Sequence, residues 1–160
     1  MGYLLPSVLV LHLIIIFLIY TSLVTNSWWS SESRTQGLWT ICSIDRTRTC
    51  DPIGKTPGDE WLHAAQAAML VAAIFTALSG LVFLCQLFAL RRGSLFYVTA
   101  VFQVFASLCV FSAALIYTLH GSRFRAEQSG SLGYSFALSW ISFPLCLSSG
   151  VLYIHIRKLQ

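Results

Sequence analysis

Apolar positions in this chain come in four long unbroken runs, not at alternate or every-third places. Residues 4–25, 64–90, 95–119 and 132–156 contain no Asp, Glu, Lys or Arg. A helix rises 1.5 Å per residue, so about 20 apolar residues cross a hydrocarbon core about 30 Å thick. Each run is long enough. The pattern predicts an all-α membrane protein, a four-transmembrane-helix bundle forming one domain over residues 1–160. Polar stretches remain at 26–63, 91–94, 120–131 and 157–160. The turn Arg91-Arg92-Gly93-Ser94 is so short that the second and third spans must form an antiparallel hairpin.

The longest polar stretch carries a second pattern. Leu38-Trp39-Thr40-Ile41-Cys42-Ser43-Ile44 is rich in strand-favouring residues. A period of two puts Leu38, Thr40, Cys42 and Ile44 on one face and Trp39 and Ile41 on the other. Residues 45–49 are polar and can turn the chain back, so a Cys42–Cys50 disulfide would staple a hairpin. A ring this short restricts the unfolded loop by about 2–3 kcal/mol in the entropic account. A small sheet with few core residues needs such help. The bridge also requires an oxidising compartment, which places this stretch outside the cell. Cys85, Cys109 and Cys146 fall within the spans and are expected to be reduced and buried, with Cys85, near Arg91, a candidate for palmitoylation.

Within the spans, small residues recur. Ala64, Ala68, Ala72, Thr76 and Gly80 stand four apart, and Ser142, Cys146 and Gly150 repeat the spacing. Small side chains let helices approach where lipid competes for apolar contact, so both stripes are expected to close the chain's own bundle, with dimerisation the alternative. Pro144 predicts a kink near Trp140. Trp28, Trp29, Trp61, Phe96, Tyr97 and Tyr153 lie at span ends and read as an interfacial aromatic belt. His12, Gln66, Gln86 and Gln103 are the polar outliers, affordable if they find partners across helices. His155 stands at a span boundary, positioned to snorkel toward headgroups.

Composition and charge narrow the function. The 160 residues are 56% apolar with net charge +4, and mean hydropathy is +0.73. Arg91, Arg92, Arg157 and Lys158 carry the excess; elsewhere six basic and six acidic residues cancel. That distribution marks inner membrane ends, not nucleic-acid binding, and puts both termini in the cytoplasm and residues 26–63 and 120–131 outside. The first run lacks a basic leader and continues into Asn26-Ser27-Trp28-Trp29, so it reads as a retained span, not a signal peptide. Pro6 excludes the myristoylation pattern that Gly2 suggests. A proton or ion path would more often show Asp, Glu or Arg inside a span, and none is present; His12 reads as a hydrogen-bonded bundle residue. No Cys-x-x-Cys pair supports thiol redox catalysis, and His63 and His120 lack partners at zinc spacing. No enzyme, cofactor or metal is expected.

Trp28, the Gly37-Leu38-Trp39 triplet and the Cys42/Cys50 pair, set between the first two of four spans, resemble the claudin superfamily signature. Glu60-Trp61-Leu62, Gln66-Ala67, Cys85-Gln86-Leu87-Phe88, Phe96-Tyr97, Ile116-Tyr117, Phe143-Pro144-Leu145 and Ser149-Gly150 resemble the branch of peripheral myelin protein 22 and the epithelial membrane proteins. Arg91-Arg92-Gly93, Phe136-Ala137-Leu138 and Tyr153-Ile154-His155 lean toward the type 3 epithelial subgroup. The likeness covers essentially the whole chain. It implies a left-handed four-helix bundle with a small disulfide-stapled extracellular β-sheet. It also implies a role in cell–cell contact or membrane organisation at the plasma membrane. Three features depart from the pattern, the first from the family at large and the other two from claudins. Asn26-Ser27-Trp28 is not a glycan acceptor, His63 and Gln66 stand where an Arg is usual, and Leu159-Gln160 fits a PDZ groove poorly.

The leading expectation is a structural or adhesive protein that organises contacts through its outer loops, with Ile41, Ile44 and Ile53 as candidate contacts. A paracellular barrier or channel component, or a lateral regulator of other membrane proteins, is the alternative; the mixed loop charge offers no single-sign lining for selectivity. Trp39 either anchors the sheet on the outer leaflet or plugs the gap between sheet and helices. Expected partners are the lipid bilayer, further copies of the chain and other membrane proteins in cis or trans, a homo-oligomer among them.

Overall fold

The computed structural model describes residues 3–53, 59–90, 94–123 and 129–159. Of the turn 91–94 only Ser94 is among them; Arg91, Arg92 and Gly93 lie outside. Among the described residues four helices are long and apolar enough to cross a bilayer. They are α1 (Leu4–Val24), α2 (Glu60–Cys85), α3 (Leu95–His120) and α4 (Tyr134–Leu159). A π-helical turn, Gln86–Leu90, extends α2, and a 3₁₀ turn, Gly121–Arg123, ends α3. The helices pack in sequence order around a ring, α2 on α3, α3 on α4, and α1 closing against α4 and α2.

The helices begin and end where local chemistry allows. α2 starts at Glu60, ahead of the apolar run, because a carboxylate in the first turn favours the positive end of the helix dipole. α4 runs without a break through Pro144. Its buried face carries a line of small residues, Ser135, Ser139, Ser142, Cys146, Ser149 and Gly150, with Phe136 near one end and Tyr153 and Ile156 near the other. A Cβ on Gly150 would meet Val104 Cγ2 at 2.8 Å and the Ala100 carbonyl at 3.3 Å, so α3 and α4 are as close as glycine permits.

The second-span stripe behaves differently along its length. Ala72 and Thr76 are buried, while Ala68 packs at the edge of the main core. Gly80 faces His12 of α1, whose Nε2 would lie 3.1 Å from an added Cβ. Ala64 is exposed. A strict four-residue repeat turns about 40° off the helix axis at each step, so its two ends cannot share one face.

Five short strands make one antiparallel sheet at the end where α1 finishes and α2 begins. They are β1 (Trp29–Ser30), β2 (Arg34–Gln36), β3 (Thr40–Ser43), β4 (Cys50–Pro52) and β5 (Ser131–Leu132), in the order β4-β3-β2-β1-β5. The expected hairpin is β3–β4. β5 comes from the segment between α3 and α4, so both outer stretches contribute to one sheet.

The core has two parts. The larger lies under the sheet around Trp28, Leu38, Leu62, Met69 and Tyr117. The smaller lies at the far end around Val8, Phe83, Phe96 and Tyr153. Four of the six residues assigned to an aromatic belt are therefore interior. Trp28 and Tyr153 are fully buried, and Trp29 and Phe96 nearly so. Only Trp61 and Tyr97 keep exposed rings, Trp61 stacked on His120 at 3.7 Å. Helix-end aromatics in a bundle this thin can turn inward and fill the ends of the core.

Candidate functional site: a stapled sheet clamped to the helices

The last carbonyls of an α-helix have no partner within the helix. In α1 two indoles supply the missing donors. Trp28 Nε1 donates to the Ser22 carbonyl at 2.7 Å, and Trp39 Nε1 donates to the Leu23 carbonyl at 3.0 Å. The Trp28 ring then fills the space between Tyr117 of α3 and Phe136 of α4, at centroid distances of 5.0 and 5.9 Å. Trp39 is half-buried against the core, which makes it a plug between sheet and helices.

Glycines set how closely the sheet approaches. A Cβ on Gly37 would stand 2.8 Å from the Thr25 carbonyl and 2.6 Å from Asn26 Oδ1. Gly133 is tighter, with 1.8 Å between its would-be Cβ and the Ser27 carbonyl. Its N–H donates to the Trp28 carbonyl at 2.9 Å, and the Ser135 N–H donates to the Ser27 carbonyl at 3.2 Å. The chain leaving α1 thus takes the N–H of Ser135 in the first turn of α4 and that of Gly133 just before it. Ser22 Oγ donates to the Ser135 carbonyl at 2.7 Å, and Thr25 Oγ1 meets Ser135 Oγ.

The third clamp comes from α2. Gln66 Nε2 donates to the Leu38 carbonyl at 2.6 Å, and Gln66 Oε1 accepts from His63 Nδ1 at 3.2 Å. An amide oxygen can only accept, so His63 carries a proton on Nδ1 here. Leu38 itself is fully buried. The triplet Gly37-Leu38-Trp39 is therefore held at each residue: by close approach, by burial beside Gln66, and by the end of α1.

The disulfide joins directly opposed residues. Cys42 and Cys50 pair across β3 and β4 with Cα atoms 4.1 Å apart. Asn26 Nδ2 donates to Cys42 Sγ at 3.2 Å, tying the staple to the end of α1. The same row continues as Thr35, Ser30 and Ser131, so one face of all five strands carries small polar or sulfur side chains. The opposite row is Asp51, Ile41, Gln36, Trp29 and Leu132. Of the three candidate contact residues, Ile44 is exposed, Ile41 half-buried, and Ile53 packed against the core. Beside the staple lies a hollow of about 360 Å³ lined by Asn26, Thr35, Arg48 and Tyr134 among others.

The PMP-22/EMP/MP20/Claudin family profile matches residues 1–153. This chain belongs to that family. It is 40% identical over 161 residues to epithelial membrane protein 3 of Rattus norvegicus, and 38% over 164 residues to that of Homo sapiens, with 99% of both chains covered in each case. Epithelial membrane protein 2 of Danio rerio is 33% identical over 158 residues, covering 96% of each chain. The PMP-22/EMP/claudin assignment and the lean toward type 3 epithelial membrane proteins agree with the residues that suggested them. The four apolar helices, the small sheet and the stapled cysteines are the claudin fold.

Sequence reasoning noted Gln66 as a polar outlier and a family-motif residue without assigning it a partner in the sheet, and overlooked Gly133. A glycine directly before a helix is a weak signal by itself. Its meaning here comes from Ser27, more than a hundred residues earlier. Among the described residues no group of three His, Cys, Asp or Glu is placed to hold a metal. The three free cysteines differ: Cys146 is buried, Cys109 half-buried and Cys85 exposed, which corrects the expectation that all three would be interior.

Proposed function

We propose that this protein organises cell–cell or membrane–membrane contacts through the stapled sheet, in a structural rather than catalytic role. The reading has the chain in the plasma membrane with both termini cytoplasmic and the sheet outside. The observation that supports it is the number of contacts that anchor the cap. Two indoles, two glycines, Gln66 and a disulfide fix a five-stranded sheet over three helix ends. A surface held that firmly loses little entropy when a partner docks. Contact would run through side chains, because the edge strand β4 ends in Asp51 and Pro52, a charge and a residue without an N–H, which resist strand addition.

Aggregation of cells expressing the full chain tests the reading. Ile44 is exposed, so Ile44→Asp changes the surface without disturbing the core. Wild-type expression should promote aggregation and the variant should reduce it at equal surface delivery. Aggregation indifferent to expression of the wild-type protein would remove the adhesive role. Impermeant maleimide applied after reduction should label the exposed Cys50 in intact cells, and labelling only after permeabilisation would reverse the topology.

Cys85 bears on a second feature of the same reading. It is exposed at the C-terminal end of α2, at the end of the bundle away from the sheet, where a thioester-linked acyl chain would enter the inner leaflet. Acyl-exchange labelling lost in Cys85→Ser supports this, and labelling unchanged by it ends it.

A further inference from the structure

At the end of the bundle away from the sheet, the α3–α4 seam opens sideways. A hollow of about 310 Å³ is lined by Ala100, Val101, Val104, Phe105 and Leu108 of α3 and Ile154 of α4. A second, of about 300 Å³, is lined by Tyr97, Val98, Val101 and Phe102. They share Val101 and adjoin on α3, the first at the seam with α4 and the second bounded by α3 residues alone; the pair is called the groove. From position 97 to position 108 the groove runs about 16 Å at 1.5 Å per residue, close to half of a 30 Å hydrocarbon core. It therefore spans one leaflet.

A cation stands at its outer end. Arg157 lies one turn beyond Ile154 on α4, and its guanidinium carbon sits 5.7 Å from the centroid of the Tyr97 ring. The ring fixes the guanidinium by cation–π attraction. No hydrogen bond or ion pair joins it to a described residue, and its Nε is buried without a partner. Lys158 follows it and is exposed. A positioned guanidinium with no hydrogen-bonding or ionic partner among the described residues, above an apolar groove about as long as one leaflet is thick, matches an amphiphile with a negative head and a long apolar chain. A second copy of this chain would bring another Lys158 and Arg157 to the same place and repel.

We propose that this groove is a binding site for an anionic phospholipid, with one acyl chain along Val101 and Val104 and the phosphate on Arg157. Guanidinium and phosphate oxygens match in bidentate geometry, and the charge favours anionic over zwitterionic heads. The site rests on the topology above only in placing it in the inner leaflet; binding in a symmetric membrane does not depend on which side is which.

Native mass spectrometry of the full chain released from nanodiscs tests the site. The probes are phosphatidylserine and phosphatidylcholine with identical acyl chains. The wild type should keep one phosphatidylserine at collision energies that strip phosphatidylcholine. Arg157→Gln should lower the retained phosphatidylserine about tenfold, to the phosphatidylcholine level, and Arg157→Lys should restore part of it. Val101→Trp, which fills the groove from its exposed wall, should lower retention of phosphatidylserine without altering the Cys42–Cys50 bond. Soluble glycerophosphoserine should fail to displace the lipid. Equal retention of the two lipids by the wild type, or an Arg157→Gln protein that binds as the wild type does, overturns the proposal. So does displacement by glycerophosphoserine, which would mean that the head alone is bound and the groove is idle. A dimer that excludes lipid from the seam in every variant overturns it as well.

Discussion

Gln66 reaches out of α2 and donates its side-chain amide to the backbone carbonyl of Leu38 at 2.6 Å, across 28 positions of chain. Both residues are buried, so the carbonyl has no water to turn to. Gln66→Ala leaves an unpaired buried acceptor and should cost about 1–3 kcal/mol. Gln66→Glu should cost at least as much, because an ionised carboxylate cannot donate and would face an oxygen. Unfolding midpoints in mixed micelles read both, and a Glu variant as stable as the wild type would remove Gln66 from the clamp.

The approach of α4 to the end of α1 depends on Gly133. A methyl group there would need to occupy space 1.8 Å from the Ser27 carbonyl. Because the obstacle is backbone, relief requires moving β5 and the start of α4 together. Gly133→Ala should destabilise by more than the 1–3 kcal/mol usual for an added methylene. Surface delivery should fall steeply, measured by antibody on intact cells against total protein. Gly37→Ala should also destabilise, since the Asn26 side chain can turn aside but the Thr25 carbonyl and the Asn26 Cα, each 2.8 Å from the added Cβ, are backbone; its closest obstacle is less severe than at Gly133.

Breaking the staple tests a different link. The Cys42–Cys50 ring is eight residues in separation, and opening it returns about 2–3 kcal/mol of loop entropy to the unfolded state. Cys50→Ser should lower the unfolding midpoint accordingly and raise amide exchange in β3 and β4. Exchange in α1 to α4 should stay low. Cys50 is the better site, since it is exposed while Cys42 is buried against Asn26.

The four helices were legible because a run of apolar residues long enough to span a bilayer has few other folded uses. The β3–β4 hairpin and its disulfide were legible for a local reason, a strand-like run and a polar turn between two cysteines. What tertiary contact decides was not. Ser131-Leu132 is too short to signal a strand, and it exists because β1 offers an unpaired edge. Trp28 and Tyr153 look like interfacial anchors by position, yet each has a buried partner elsewhere in the chain, Ser22 and His12. A tryptophan at a span end carries no mark that tells lipid from core. The stripe of small residues on α2 showed a tendency to pack but not its extent, so exposed Ala64 was included with buried Ala72.

His12 joins three helices at the far end of the bundle. Its Nε2 lies 3.0 Å from the Thr76 carbonyl and its Nδ1 lies 2.9 Å from Tyr153 Oη. A carbonyl only accepts, so the ring carries its proton on Nε2 and the tyrosine donates to Nδ1. Tyr153→Phe should cost about 0.6–1.7 kcal/mol, the range for such bonds between membrane helices. His12→Leu should cost more, because the Tyr153 hydroxyl and the Thr76 carbonyl both lose a partner. In a double-mutant cycle the two changes should couple by a large part of the Tyr153→Phe value, and strict additivity would show that the pair does not act together.

Gln103 presents the opposite case. Its side chain is fully buried in α3, and neither Nε2 nor Oε1 has a hydrogen-bond partner among the described residues. The nearby polar contact, from Cys146 Sγ at 3.2 Å, goes to the Gln103 backbone carbonyl and leaves the amide alone. A buried amide without partners costs about 1–3 kcal/mol, and a residue of similar shape without polar atoms avoids that cost. Methionine is unbranched like glutamine and close in volume, so Gln103→Met keeps the packing against α4 while removing the two orphaned atoms. It should raise the unfolding midpoint, unlike Gln66→Ala, although both delete a buried glutamine from a membrane helix. The contrast isolates the physical rule, since only the amide that is partnered contributes. A fall in midpoint for Gln103→Met would show that the amide holds a polar group, water included, within the seam.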